Sequence, residues 1–161
     1  ETYRRVINLQ GDLPDIPPYY LSLLSNMLQK EEFDLCTLVA PCKKHEIRAP
    51  QVVKAVISWD REYSNSDVPI GRAHYFSRAP IPFGSDVFWH HIGLYGWRRA
   101  ALKKFVESNP SKLEQIENLE QLRALELGMV IATGKVDLPI AGIDTKQDLI
   151  DIQKKMSSKN K

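Results

Sequence analysis

The chain has 161 residues, 43% of them hydrophobic and 26% charged, with a formal net charge of +2. That is enough chain for one domain spanning residues 1–161 with a real core, and too apolar and too weakly charged for a disordered chain. It carries no basic excess that calls for nucleic acid, no apolar run near the ~20 residues of a bilayer span, and no opening that reads as a signal peptide.

The chain opens on Glu1, Thr2 and Tyr3 and reaches a strand within about five residues, so it reads as a protein entered part-way through. "RVINLQ" (5–10) is apolar and β-branched at its start and predicts a buried strand. It runs into Gly11, Asp12 and three prolines. Asp12 either caps the next turn or faces a site where its charge is useful. "PPYYLSLLSNMLQK" (17–30) predicts a helix with Pro18 in its first turn and an apolar stripe of Leu21, Leu24, Met27 and Leu28. "DLCTLVAPC" (34–42) and "APQVVKAVIS" (49–58) predict strands, the second starting after Pro50. If the first is extended, Cys36 and Cys42 stand about 20 Å apart at ~3.3 Å per residue, too far for a disulfide. Two free thiols in a reducing compartment are expected.

"REYSNSD" (61–67) predicts a polar turn, "GRAHYFSR" (71–78) a strand, and "APIPFGSD" (79–86) a loop. Arg78, closing its strand beside the proline loop, is either an anion reader, since a guanidinium grips a carboxylate with two parallel bonds, or a surface arginine. "FWHHIGLYGWR" (88–98) predicts a strand running into a helix over 98–108. Side chains alternate along a strand, so His90, Ile92, Leu94 and Gly96 share a core-like face while His91, Gly93, Tyr95 and Trp97 share the other. That second face sets an imidazole beside a phenol. The two histidines point apart, which argues against a shared metal, and His91 alone also suits a hydrogen-bonded structural role.

"SKLEQIENLEQLRALELG" (111–128) predicts one long helix, with Ser111 and Glu114 in capping-box spacing and Gly128 as its stop. At ~100° per residue, Glu114, Glu117 and Gln121 form a polar strip, and Glu120 projects into the arc of Leu113, Ala124 and Leu127. A carboxylate there needs a polar ligand or an arginine, with Arg98, Arg99 and Arg123 as candidates. "MVIATGKV" (129–136) predicts a short strand and "DTKQDLIDIQKKM" (144–156) the last helix, with a solvated Lys- and Ser-rich tail. Asp144, just before that helix, either favours the positive end of its dipole or reaches a hard cation. Mixed strands and helices make an α/β domain.

In order and approximate separation, "INLQGDLPDIPP", "YFSRAPIPF", "HHIGLYGWRRAALKKFV", "SKLEQIENLEQLRALELGM" and "GIDTKQDLIDI" resemble the successive motifs of the 3-deoxy-manno-octulosonate cytidylyltransferases, the CMP-Kdo synthetases. The resemblance covers nearly the whole chain and corresponds to the family's C-terminal portion. The family's N-terminal CTP-binding loop, whose Arg and Lys grip the phosphates, has no counterpart in these 161 residues. Leu13 stands where the family has a glutamate, and Trp97, Ala49 and Gln51 also depart from its usual residues.

The resemblance implies a nucleotide-diphospho-sugar transferase fold, a mixed sheet flanked by helices and incomplete at the N-terminus. It implies transfer of CMP from CTP to Kdo, an acidic eight-carbon sugar, giving CMP-Kdo and pyrophosphate for lipopolysaccharide synthesis. It further implies Mg2+, a homodimer and a cytoplasmic location, with no nucleic-acid or membrane partner. It matches Asp12 and Asp144 to two magnesium-binding aspartates and Gln10 to a substrate-contacting glutamine. Arg78, His91, Tyr95, Glu120 and Gln121 match the polar lining of the Kdo pocket, Arg78 meeting the sugar carboxylate and Glu120 its hydroxyls. The chain by itself is expected to show no cytidylyl transfer, because the phosphate-gripping loop supplies much of the electrostatic stabilisation. The competing readings are a cytidylyltransferase for another sugar acid, and an inactive fragment or dimerising remnant.

Overall fold

A computed structural model of the protein describes residues 3–9, 11, 16–60, 68–137, 150 and 153. The elements run β1 (Arg5–Asn8), α1 (Pro18–Met27), β2 (Leu35–Pro41), β3 (Lys54–Asp60), β4 (Ile70–Ser77), β5 (Trp89–Arg98), α2 (Arg99–Glu107), α3 (Lys112–Glu117), α4 (Gln121–Glu126) and β6 (Ile131–Lys135). The strands make one six-stranded sheet in the order β1-β5-β2-β6-β4-β3. β2 and β6 are parallel, and the remaining pairings are antiparallel. The start of β5 also pairs with the start of β3, Lys54 opposite His90, so the pairings close into a circuit that brings the β3, β4 and β5 ends together.

Alternation on β2 and β5 splits the core into two layers. Cys36, Leu38, Ala40, Ile92 and Leu94 pack under α1, against Leu23, Leu24, Met27 and Leu28. Leu35, Val39, Tyr95 and Trp97 pack on the opposite side with Phe105, Leu119, Leu122 and Met129 from α2, α4 and their flanks. Both faces of β5 are therefore covered, not the Ile92–Leu94 face alone. A Cβ on Gly96 would stand 2.9 Å from Cys36 Sγ and 3.0 Å from Leu28 Cδ1, which is how closely α1 lies on the sheet.

The helix signals hold at most ends. Pro18 opens α1, and Ser111 with Glu114 forms a complete capping box on α3. Gly128, at φ 76°, terminates α4, with Gly128 N–H bonded to Leu125 O and Met129 N–H to Ala124 O. That pair of bonds is a Schellman ending. Strand β3 begins at Lys54 rather than directly after Pro50, because residues 49–52 turn instead: Val52 N–H reaches Ala49 O at 3.1 Å.

The largest departure is the helix expected over 111–128, which is two short helices. Asn118 adopts a left-handed conformation (φ 55°) that ends α3, and Leu119 N–H bonds back to Glu114 O. Asparagine tolerates this backbone better than most residues, and the break turns Leu119 into the core. Ile150 and Gln153, described within the expected last helix, are helical.

Candidate functional site

Strand β5 supplies the first half of the site. His91 is 7% exposed and lies 4.9 Å ring to ring from Phe76 and 5.5 Å from Tyr95. Its Nε2 sits 3.0 Å from Thr37 Oγ1, and that hydroxyl spends its single proton on Ile92 O at 2.9 Å. The imidazole must therefore donate from Nε2, leaving Nδ1 bare as an acceptor. Burial drives its pKa down to about 3, so the ring is neutral at physiological pH. Tyr95 is 4% exposed; burial first, and then the charge of Glu120, holds its phenol protonated well above the ordinary range. Tyr95 is thus a neutral hydroxyl. His90 diverges from His91 as expected: its Nδ1 lies 3.6 Å from Glu46 Oε2.

The broken helix supplies the other half. Helix ends leave carbonyls without partners, and the break at Asn118 aims two of them at Arg78. Arg78 Nε donates to Glu117 O at 3.2 Å, one terminal nitrogen to Asn118 O at 3.4 Å, and the other to Pro50 O at 2.9 Å. Arg78 N–H and Ser77 Oγ–H both donate to the Glu117 carboxylate, at 3.2 and 2.7 Å. A guanidinium has five N–H donors, so two remain for a ligand. Arg78 is neither a loose surface arginine nor a wholly free anion reader.

The expected polar strip on this segment does not exist, because it presupposed one helix. Glu114 is paired to Arg123, with Nε 2.6 Å from Oε2 and a second contact between Nη2 and Oε1. The arginine's hydrogen bonds hold that carboxyl below the usual range. Glu117 is taken by Ser77 and Arg78. Gln121 is 4% exposed, yet its amide bonds to none of the described residues. Glu120 is corrected too: it is the exposed N-cap of α4 rather than a desolvated member of an apolar arc, and no described arginine lies within ion-pairing distance of it. Arg98, one of its proposed partners, instead donates to Phe33 O and Lys30 O, both at 2.6 Å.

The structure links four of the five described candidates, and Gln121 follows Glu120 directly in the chain. His91 and Tyr95 are neighbours on β5, Glu120 acts on Tyr95 through its charge, and Arg78 grips the junction from which Glu120 and Gln121 follow. Gln10, Asp12 and Asp144 lie outside the described residues. Among the described residues, no group of three or more His, Cys, Asp or Glu could hold a metal ion. Cys36 and Cys42 are both free, and burial pushes their thiols up to about 12 and about 11, so neither is a thiolate nucleophile near neutrality. Among the described residues, no helix is long and apolar enough to cross a membrane.

Sequence reasoning passed over two residues. Thr37 fixes the His91 tautomer, and its only signal was a lone hydroxyl in an otherwise apolar strand. Lys54 is completely buried and donates to Ala49 O, Val52 O and Arg78 O. Its signal was a lysine in the middle of "QVVKAVIS".

Comparison with known proteins gives a consistent picture. Residues 1–131 match the family model described as cytidylyltransferase. A 3-deoxy-manno-octulosonate cytidylyltransferase of Parvibaculum lavamentivorans is 45% identical over 145 residues, 89% of this chain and 54% of the relative. The protein of the same name from Rhizobium johnstonii is 41% identical over 158 residues, 96% of this chain and 60% of the relative. The chain thus spans a little over half the length of these relatives. A solved CMP:2-keto-3-deoxy-manno-octonic acid synthetase complexed with CTP superposes with a TM-score of 0.84 at 32% identity, over 97% of this chain and 63% of that one. Apo UDP-glucose pyrophosphorylase superposes with a TM-score of 0.64 at 14% identity, over 98% of this chain and 56% of that one, a likeness of fold alone.

Proposed function

Because this chain belongs to the cytidylyltransferase family, we propose that it forms the sugar-acid end of a CMP-Kdo synthetase site. There CMP passes from CTP to Kdo, and pyrophosphate leaves. The observation that carries the reading is that Arg78 bonds to the carbonyls at the α3 break while Glu120, two residues beyond it and next to the buried Gln121, acts by its charge on Tyr95. The two spare N–H donors of Arg78 suit the carboxylate of a sugar acid. The neutral Tyr95 hydroxyl, the unpaired Gln121 amide and the exposed Glu120 carboxylate suit its several hydroxyls. His91 packs against Tyr95 and, locked by Thr37, holds that ring in place.

The same proposal assigns Mg2+ to Asp12 and Asp144 and a substrate contact to Gln10. A divalent cation there would neutralise phosphate charge and favour ionisation of the attacking sugar hydroxyl. It also includes a homodimer, a cytoplasmic setting and a place in lipopolysaccharide synthesis.

Isothermal titration of the 161-residue chain with Kdo tests the reading. We expect saturable binding that weakens at least tenfold, about 1.4 kcal/mol, in Arg78→Met, and weaker binding of N-acetylneuraminate. Mixed with CTP, Kdo and Mg2+, the chain by itself is expected to release no CMP-Kdo. Failure to bind Kdo, or equal affinity in Arg78→Met, contradicts the assignment. Tighter binding of N-acetylneuraminate would transfer the site to another sugar acid.

A further inference from the structure

Lys54 is the residue for which neither the core nor the proposed site accounts. Its side chain is completely buried, and no described carboxylate lies within ion-pairing distance. A methionine of similar length would fill the same space without the cost of desolvating an ammonium. What only the ammonium offers is three N–H donors on one atom. All three are used. One goes to Ala49 O at 3.1 Å and one to Val52 O at 2.6 Å, both in the turn before β3. The third goes to Arg78 O, at the end of β4.

Those three carbonyls surround the support of the Arg78 guanidinium. Pro50 O, which accepts from Arg78 at 2.9 Å, lies inside the turn that Lys54 ties from both sides. Arg78 is therefore held at its own carbonyl by Lys54, at its own N–H by Glu117, and at its guanidinium by Pro50, Glu117 and Asn118. Without the ammonium, Val52 O and Arg78 O lose its N–H donors, Ala49 O keeps only the Val52 N–H, and the turn carrying Pro50 is free to move away from β4.

We infer that Lys54 is a positioning residue: it fixes the direction in which Arg78 presents its two remaining N–H donors, and it does so through the backbone without meeting ligand. The inference deepens the sugar-acid reading and rests on it for the identity of the ligand. The clamp itself does not depend on that reading.

Burial holds the Lys54 amine below its ordinary pKa; Cys42 and Glu117 oppose that shift and Arg78 adds to it. His90, opposite Lys54 on β5, is the other titratable group that feels its charge.

The test uses nuclear magnetic resonance of the isotopically labelled chain, read at the Arg78 side chain. In the unsubstituted protein, we expect the Arg78 Nε proton, bonded to Glu117 O, to exchange slowly with water. In Lys54→Met we expect exchange at least tenfold faster while thermal unfolding stays cooperative, together with at least tenfold weaker Kdo binding. Should Lys54→Met fail to fold, the unsubstituted protein decides. Raising the pH through the Lys54 titration removes one of its three donors, so the Arg78 Cζ shift should move with the same midpoint as the Lys54 Nζ shift. Unchanged Arg78 exchange in the folded variant, or a Cζ shift flat across the Lys54 titration, overturns the inference. A changed Arg78 signal in a protein that never binds Kdo upholds the clamp and removes the sugar-acid reading instead.

Discussion

At the scale of single residues, burial has made His91 and Tyr95 neutral, and hydrogen bonds have made His91 and Arg78 directional. His91 shows the logic. The sequence shows through alternation that it shares a face with Tyr95, but not that Thr37 would fix its tautomer, because that bond joins strands 54 positions apart in the chain. Its depressed pKa has a consequence for stability. Above about 6.5 neither the folded nor the unfolded chain protonates this ring. Between 6.5 and about 3 the unfolded chain takes up a proton that the folded chain refuses. Stability therefore falls with pH across that window, by up to about 1.4 kcal/mol per pH unit. In His91→Gln, which keeps a donor for Thr37, that contribution disappears. Urea unfolding from pH 4 to pH 8 should show the stability of the parent relative to the variant level above about 6.5 and declining below it. Parallel curves would mean that His91 is hydrated or already charged in the fold.

At the scale of elements, the decisive event is the break between α3 and α4. Capping at Ser111 and Glu114 and termination at Gly128 are legible because they are local chemistry, readable from residue types at fixed offsets. The interruption at Asn118 was hidden because the apolar period continues through it; the tertiary pull of Leu119 into the core and of two carbonyls toward Arg78 overrides that period. The exposure of Glu120 follows from the same break, because only a continuous helix turns it into the arc of Leu113, Ala124 and Leu127. A β-branched residue suffers in a left-handed backbone. Asn118→Val should therefore lose about 1–2 kcal/mol in denaturant unfolding, while Asn118→Gly should stay within about 0.5 kcal/mol. A valine variant as stable as the parent would favour one continuous helix.

At the scale of the whole molecule, the closed circuit of pairings explains why residues from β3, β4, β5 and the α3–α4 junction converge. The contact of β5 with β3 at Lys54 and His90 draws the end of β4 toward His91, and Arg78 then bridges to the helical layer. The fold class was legible in the alternation of strands and helices and in the motif order; the circuit was not, because pairing order is not a property of any local stretch. The chain covers 54% and 60% of the two relatives described above, so its proposed share of the reaction is recognition of the sugar acid. The most direct measurement is the set of intermolecular nuclear Overhauser effects between the C3 methylene protons of bound Kdo and the protein. The account predicts contacts to the Tyr95 ring and the Gln121 side chain, lost together in Arg78→Met. Contacts confined to residues distant from β5 and α4, or none at saturating Kdo, would contradict it.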